Sequence, residues 1–405
     1  MYRILLILLA FILLPLHSKA LHAKNISTSD IVIGEKVILN STVLKEEREL
    51  LIYTPSDYHP SEQYQVIYLL DGRYHFIPTV GIVSSLVASG LMPDSIVVAI
   101  KTSIRVRDYL PPIKDKPLSA QQKWIQTKFP RFGGTDNFVQ FLETELFPYI
   151  EQNFSTLPNR TLIGHSNGGV FGLHALLAHP TLFTNYLIIS PAPWWGDQEI
   201  DSLFSKQESN APQIAHNVFL TVANESGKYY SHAARFAANF SSNSSQAFTW
   251  YFEHLQEQTH QTTIYPSILN GLSTLYQDFY FDHSSTANKY VRLADLVEYY
   301  DDLSKKYMFE VKIPIQAFVE LADLQLAAKN ESDAFDTLNY FVKSYPELSY
   351  AHQNIAHAYM KTKQYALAKQ NFEKALEISK QETGISYTVI DYLKDMITTA
   401  EAKLK

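Results

Sequence analysis

Five short, almost unbroken apolar runs decide what this chain can fold into: QVIYLL (65–70), SIVVAI (95–100), RTLIG (160–164), NYLII (185–189) and NVFLTVA (217–223). A strand with one wet face alternates apolar with polar residues, whereas an unbroken run is buried on both faces, as in a parallel sheet covered by helices. Helical stripes interleave with the runs. In 137–154 apolar residues fall at 138, 141, 142, 146 and 150, and NGGVFGLHALLAHP (167–180) is helical until Pro180 stops it. Ahead of the first run, KVILNSTVLKEERELLIYTP (36–55) alternates on either side of the charged turn Lys45–Arg48, the pattern of two antiparallel strands. Strands alternating with helices predict an α/β fold around a mostly parallel sheet.

In such a sheet the ligand crevice lies beyond the carboxyl ends of the strands. Asp71-Gly72, Ser166, Ser190-Pro191 and Asn224-Glu225 each follow a run, so four polar strand ends are expected along one edge. The third run ends in Gly-His-Ser-Asn-Gly-Gly, which places three of the chain's 14 glycines within six positions. A Gly-X-Ser-X-Gly match alone is weak, since an ordinary glycine-rich turn also produces it. Here it follows a buried strand and opens a helix, the context a nucleophile elbow requires, and Ser166 is the predicted nucleophile.

Serine needs a base, and on this fold the chain order is serine, acid, histidine. His174 and His179 lie on the helix after Ser166 and read as packing or surface residues, while His254 falls in the strand FTWYFEHL (248–255). His260 hangs from the polar segment EQTHQTT (257–263), between that strand and the helix YPSILNGLSTLYQ (265–277), and is the predicted base. Glu225 is the acid placed directly after a buried strand, where it can orient the imidazole. Glu257 is the alternative, and a Ser-His pair without an acid is a third arrangement. Two N–H donors must meet the oxyanion: the backbone of Asn167, and that of Gly72 or Arg73 after the first run, where a plain turn is the competing reading. Trp194 and Trp195 in SPAPWW (190–195) read as a substrate wall or a core plug, and the irregular segment 111–134 as a lid.

From about residue 287 strands vanish and helical periodicity continues to Lys405. Ala334, Leu338 and Phe341 recur as Ala368, Phe372 and Ala375 at a period of 34, and Leu321-Ala322 recurs as Ile355-Ala356. That is the period of tetratricopeptide repeats, here two helix-turn-helix units; an ordinary helical bundle would not require it. The expected order is a signal peptide (1–20), an α/β-hydrolase domain (21–286), a helical linker (287–313) and repeats (314–405). Two repeats bury little surface by themselves. The aromatic-rich VEYYDDLSKKYMFEV (297–311) therefore predicts that the array docks on the first domain, on a second copy or on a protein partner.

The amino-terminal stretch pairs Arg3 with an apolar run from Ile4 to Leu16 and small residues at Ser18 and Ala20, a secretory signal cleaved after Ala20. The run is short for a membrane span and Pro15 breaks it, so no stable span is expected in the mature chain. With no cysteine anywhere, export points to a bacterial periplasm or the medium. A net charge of −7 without a long basic tract argues against a nucleic-acid partner. HExxH, CxxC and closely spaced His/carboxylate sets do not occur along the chain, so neither metal nor cofactor is expected.

Taken together, EERELLIYTP, YQVIYLLDG, RVRDYLPP, GGTDNFVQFLETELFPYIEQNF, RTLIGHSNGGVFGLHALLAHPTLF, ISPAPWW and EQTHQTTIYPSILNGLSTLY resemble the Putative esterase family of α/β-hydrolases. That family includes enterobactin and bacillibactin esterases and S-formylglutathione hydrolase. The resemblance implies Ser166 as nucleophile and His260 as base; some members of its periplasmic siderophore-esterase-like branch use a weak or absent acid, which leaves Glu225 open. Helical, tetratricopeptide-like tails occur on some relatives. Siderophore esterases hold anionic iron-catecholates with basic residues. Arg105, Arg107 and Arg131 are available, with Arg105 as the substrate-binding candidate, but Arg105, Arg107 and Asp108 read equally as a structural ion-pair cluster. The leading expectation is an exported serine carboxylesterase acting on a small-molecule ester through a Ser-His-Glu set and an acyl-enzyme. A siderophore esterase, an acyltransferase of the same fold and an inert repeat-based binding protein are the alternatives.

Overall fold

The computed structural model describes residues 30–112, 117–192, 216–225, 227–242, 248–282, 290–307, 309–382 and 386–405. The signal-peptide expectation, Trp194 and Trp195 lie outside the described residues. Gly34–Lys405 form one compact unit.

Eight strands make one sheet in the order β1-β2-β4-β3-β5-β6-β7-β8. They are β1 (Glu35–Ser41), β2 (Glu46–Tyr53), β3 (Tyr64–Leu69), β4 (Ser95–Ile100), β5 (Thr156–His165), β6 (Asn185–Ile189), β7 (His216–Ala223) and β8 (Phe248–Leu255). β1, β2 and β4 pair antiparallel, and every pairing from β4 through β3 to β8 is parallel. This is the strand plan of an α/β-hydrolase with a mostly parallel sheet. The unbroken runs are buried on both faces as their composition requires: in β3, Val66 and Tyr68 enter one apolar cluster, while Ile67 and Leu69 enter the other.

The segment 111–134 is less irregular than its sequence suggests. It carries the helix Ala120–Lys128, whose amino end is closed by a reciprocal capping box between Ser119 and Gln122. Ile125 from this helix packs with Leu110, Val170 and Ala192, beside the first turn of the helix that follows Ser166.

Helices Leu293–Tyr307, Ile315–Ala327, Glu331–Ser344, Ser349–Lys361, Tyr365–Ser379 and Tyr387–Leu404 make up the tail. The residues that recur at the 34-residue period, Ala334, Leu338 and Phe341 and then Ala368, Phe372 and Ala375, are all buried. The tail is not a free array. Leu296, Tyr300, Phe318, Leu321 and Phe341 belong to the same apolar cluster as Ile67, Leu69, Leu187 and Phe219 of the sheet.

On the other face lies a buried ionic network. Arg48 reaches Asp108 at 2.6 Å and Glu46 at 2.9 Å, with both the Arg48 and Asp108 side chains fully buried. Arg107 closes the network on Glu46 at 2.7 Å and Asp108 at 2.6 Å. Removing one member leaves its partners charged and dry. Asp108→Ala is expected to destabilise the fold by about 3 to 5 kcal/mol, read as a lower urea midpoint; an unchanged midpoint would show that solvent reaches Arg48.

Candidate active site

Two adjacent parallel strands, β3 and β5, each end in a sharp turn into a helix. After β3 the chain passes through Asp71 at φ 56°, ψ 38° into the helix Gly72–Ala88. After β5 it passes through Ser166 at φ 59°, ψ −114° into the helix Asn167–Ala178. A non-glycine residue held at positive φ is a strained backbone that its surroundings must enforce. Glycines make the two turns feasible. A Cβ on Gly164 would lie 2.3 Å from the Gly168 carbonyl oxygen, and one on Gly72 would lie 2.8 Å from the backbone of Ala99 in β4. The first N–H groups of a helix have no intrahelical acceptor. The backbone of Asn167 begins one such set, and Gly72 and Arg73 begin the other. The two helix ends are neighbours: a Cβ on Gly168 would stand 3.2 Å from Leu70 and 3.9 Å from Asp71. Partial positive charge thus converges beside Ser166.

The Ser166 backbone is held on both sides, its N–H donating to Ile189 O at 2.9 Å and its carbonyl accepting from Ala192 N–H at 3.2 Å. At the next strand end Ser190, buried and at φ 38°, accepts from Ala223 N–H at 3.0 Å and donates to Glu225 Oε2 at 2.9 Å. The other carboxylate oxygen of Glu225 bonds His260 Nδ1. Glu257 is exposed, so the fold brings Glu225, and not Glu257, onto the imidazole.

Arg105 stands at this edge but its guanidinium is engaged. It donates to Asp71 at 2.8 and 2.9 Å and to the His165 carbonyl at 3.2 Å. Asp71 in turn is fixed through its N–H, which donates to Tyr109 Oη at 3.2 Å. Burial pushes the Asp71 carboxyl up against the opposing pull of Arg105. Arg107 belongs to the structural network on Glu46 and Asp108, whereas Arg131 is exposed.

Sequence reasoning passed over Ser190 as a support of the acid, and over two histidines. The His165 ring lies 4.6 Å from that of His260, and His75 lies 6.3 Å from His165 and 6.0 Å from Tyr265. Burial, then the neighbouring His260 and His75, pull His165 down to about 3; burial and Arg105 pull His75 down to about 4. Both rings are therefore neutral at ordinary pH. The Tyr229 ring also lies near His260, 5.3 Å away and edge-on. Along the chain, Ser190 carried a signal as a polar strand end and His165 as the residue inside the Gly-X-Ser-X-Gly turn, whereas His75 carried none.

The profile of the Putative esterase family matches residues 41–268, more than half of the chain. The chain belongs to this family. A tetratricopeptide-repeat profile matches residues 349–382. Among relatives of this esterase-family chain is the ferri-bacillibactin esterase BesA of Bacillus subtilis, 32% identical over 161 residues, which are 36% of this chain and 54% of that one. Another is the siderophore triacetylfusarinine C esterase of Aspergillus fumigatus, 28% identical over 185 residues, covering 42% of this chain and 59% of the relative. The chain thus spans little more than half the length of these curated relatives. Among solved structures, an IroE-like serine hydrolase from Shewanella oneidensis is 25% identical with a TM-score of 0.63, covering 76% of this chain and 99% of the other.

Proposed function

We propose that the protein is a serine esterase that cleaves a small-molecule carboxylic ester through an acyl-enzyme. Ser166 attacks the carbonyl, His260 takes its proton and returns it to the leaving alcohol, and Glu225 holds the imidazole tautomer and steadies the imidazolium. The N–H of Asn167 and that of Gly72 or Arg73 receive the oxyanion, and water releases the acyl group. One observation carries this reading: Glu225, itself braced by Ser190, bonds Nδ1 of a histidine whose ring packs against the residue preceding the strained Ser166. Hydrolysis of nitrophenyl esters by the purified protein, with labelling of Ser166 by a fluorophosphonate, tests it. Neither turnover nor labelling would instead favour the repeat-based binding protein. Turnover that rises with added alcohol acceptors would favour acyl transfer.

Glu225→Gln is expected to lower kcat by up to about 10⁴ with KM little changed, because the amide no longer selects the productive tautomer. Glu257→Gln should leave kcat unaltered; a larger loss there than at Glu225 would reassign the acid.

The names of the relatives support ferric siderophore esters as a second substrate class. The site's arginines give that class less support, since Arg105 is bonded to Asp71 and Arg107 is in the buried network. Comparing hydrolysis of a ferric tricatecholate ester with that of neutral esters decides between them. We further propose that the chain is exported, on the strength of Arg3, the apolar Ile4–Leu16 run and the small residues Ser18 and Ala20. Among the described residues, no helix is long and apolar enough to cross a membrane. Amino-terminal sequencing of the protein recovered from outside the cytoplasm tests the cleavage after Ala20.

A further inference from the structure

We propose that Asp136, His174 and His179 form a binding site for a divalent transition-metal ion of the zinc class, separate from the catalytic edge. Ser166 precedes the helix Asn167–Ala178 and His179 follows it. At 1.5 Å of rise per residue the two ends are roughly 20 Å apart. His174 is buried near the end of this helix. His179 leaves the helical path at φ −136°, ψ 60°, its N–H still donating to Ala175 O at 2.9 Å. That turn brings its ring to 5.4 Å from the ring of His174. Asp136 comes from the first turn of a different helix, Thr135–Phe141. One ligand atom from each of the three residues lies within 4.8 Å of the other two.

The chemistry of this set is selective. Two imidazole nitrogens and a carboxylate oxygen suit Zn²⁺, Co²⁺ or Ni²⁺, whereas Mg²⁺ and Ca²⁺ demand oxygen ligands. Donors around a tetrahedral ion with bonds of about 2.1 Å stand roughly 3.4 Å apart, so the three groups must close by an ångström or so. The burial pattern is compatible with this: His174 is the buried anchor, while Asp136 is exposed and His179 half-buried at the helix end. The same exposure gives the ion an entry path and leaves room for water as the fourth ligand. Because the ligands come from two helices and the turn that ends one of them, the bound ion would clip Thr135–Phe141 to the far end of the helix that follows Ser166.

The test uses the full chain, without an affinity tag and stripped with EDTA. Zn²⁺ is added by calorimetric titration, and Co²⁺ is followed by its visible absorption. One ion per chain is expected, with tetrahedral-type Co²⁺ bands and a Tm that climbs with Zn²⁺ concentration. Asp136→Asn and His179→Ala should each weaken binding by at least about tenfold, since even outer-shell losses cost that much. Both variants should hydrolyse esters like the parent. His174→Ala removes a buried ring and is open to misfolding, so the Asp136 and His179 variants carry the decision. No binding at up to millimolar Zn²⁺ overturns the proposal, as does equal binding by parent and both variants, which would place the ion on other histidines.

Discussion

Ser166→Ala is expected to abolish ester turnover above background, a loss of about 10⁴ to 10⁶ in kcat, with no loss of stability. Alanine retains the Cβ and removes only the oxygen, so the elbow survives: its backbone is held by Ile189 and Ala192, and not by the hydroxyl. His260→Ala should cost nearly as much, because nucleophile and base act as one unit. The double variant should then be scarcely worse than either single one. This non-additivity separates a catalytic pair from two residues that merely shape the pocket. Substantial activity in either single variant, or losses that multiply in the double, would remove Ser166 and His260 from the chemistry.

A chain ending at Thr286 is expected to be insoluble or to unfold at a much lower urea concentration than the full protein. The tail helices seal an aromatic seam on the hydrolase side. Tyr276 lies 6.1 Å from Tyr307, Phe279 6.3 Å from Tyr300, and Phe281 4.9 Å from Tyr299. Tyr300 also donates to the Phe279 carbonyl at 2.9 Å, and Asp278 is held by Lys306 and by Tyr307 at 2.6 Å. Burying one such aromatic is worth about 1.5 to 3 kcal/mol, so baring three removes a large share of a typical margin of about 5 to 15 kcal/mol. An unaltered urea midpoint in a monomeric, active truncation would mean the seam contributes nothing and the helices are a separable array.

What was legible along the chain was whatever depends on local pattern. Unbroken apolar runs announce strands buried on both faces, and a period of 34 announces stacked helix pairs, because both follow from spacing alone. Ser166 stood out for the same reason, since the glycines that let the elbow form sit within a few positions of it. His260 and Glu225 were singled out by their places after strands. Which carboxylate meets the imidazole was not decided there: Glu257 is near His260 in sequence yet exposed, and Glu225 arrives from the end of β7. Tertiary structure alone placed His75 beside His165, tied Arg105 to Asp71, and laid the tail against Tyr276, Phe279 and Phe281. It likewise brought Asp136 to His174 and His179, three residues that form no metal-ligand spacing along the sequence. Each of these is a meeting of side chains from distant segments. Strand order and the burial of apolar faces bring such segments together, and local spacing does not encode either.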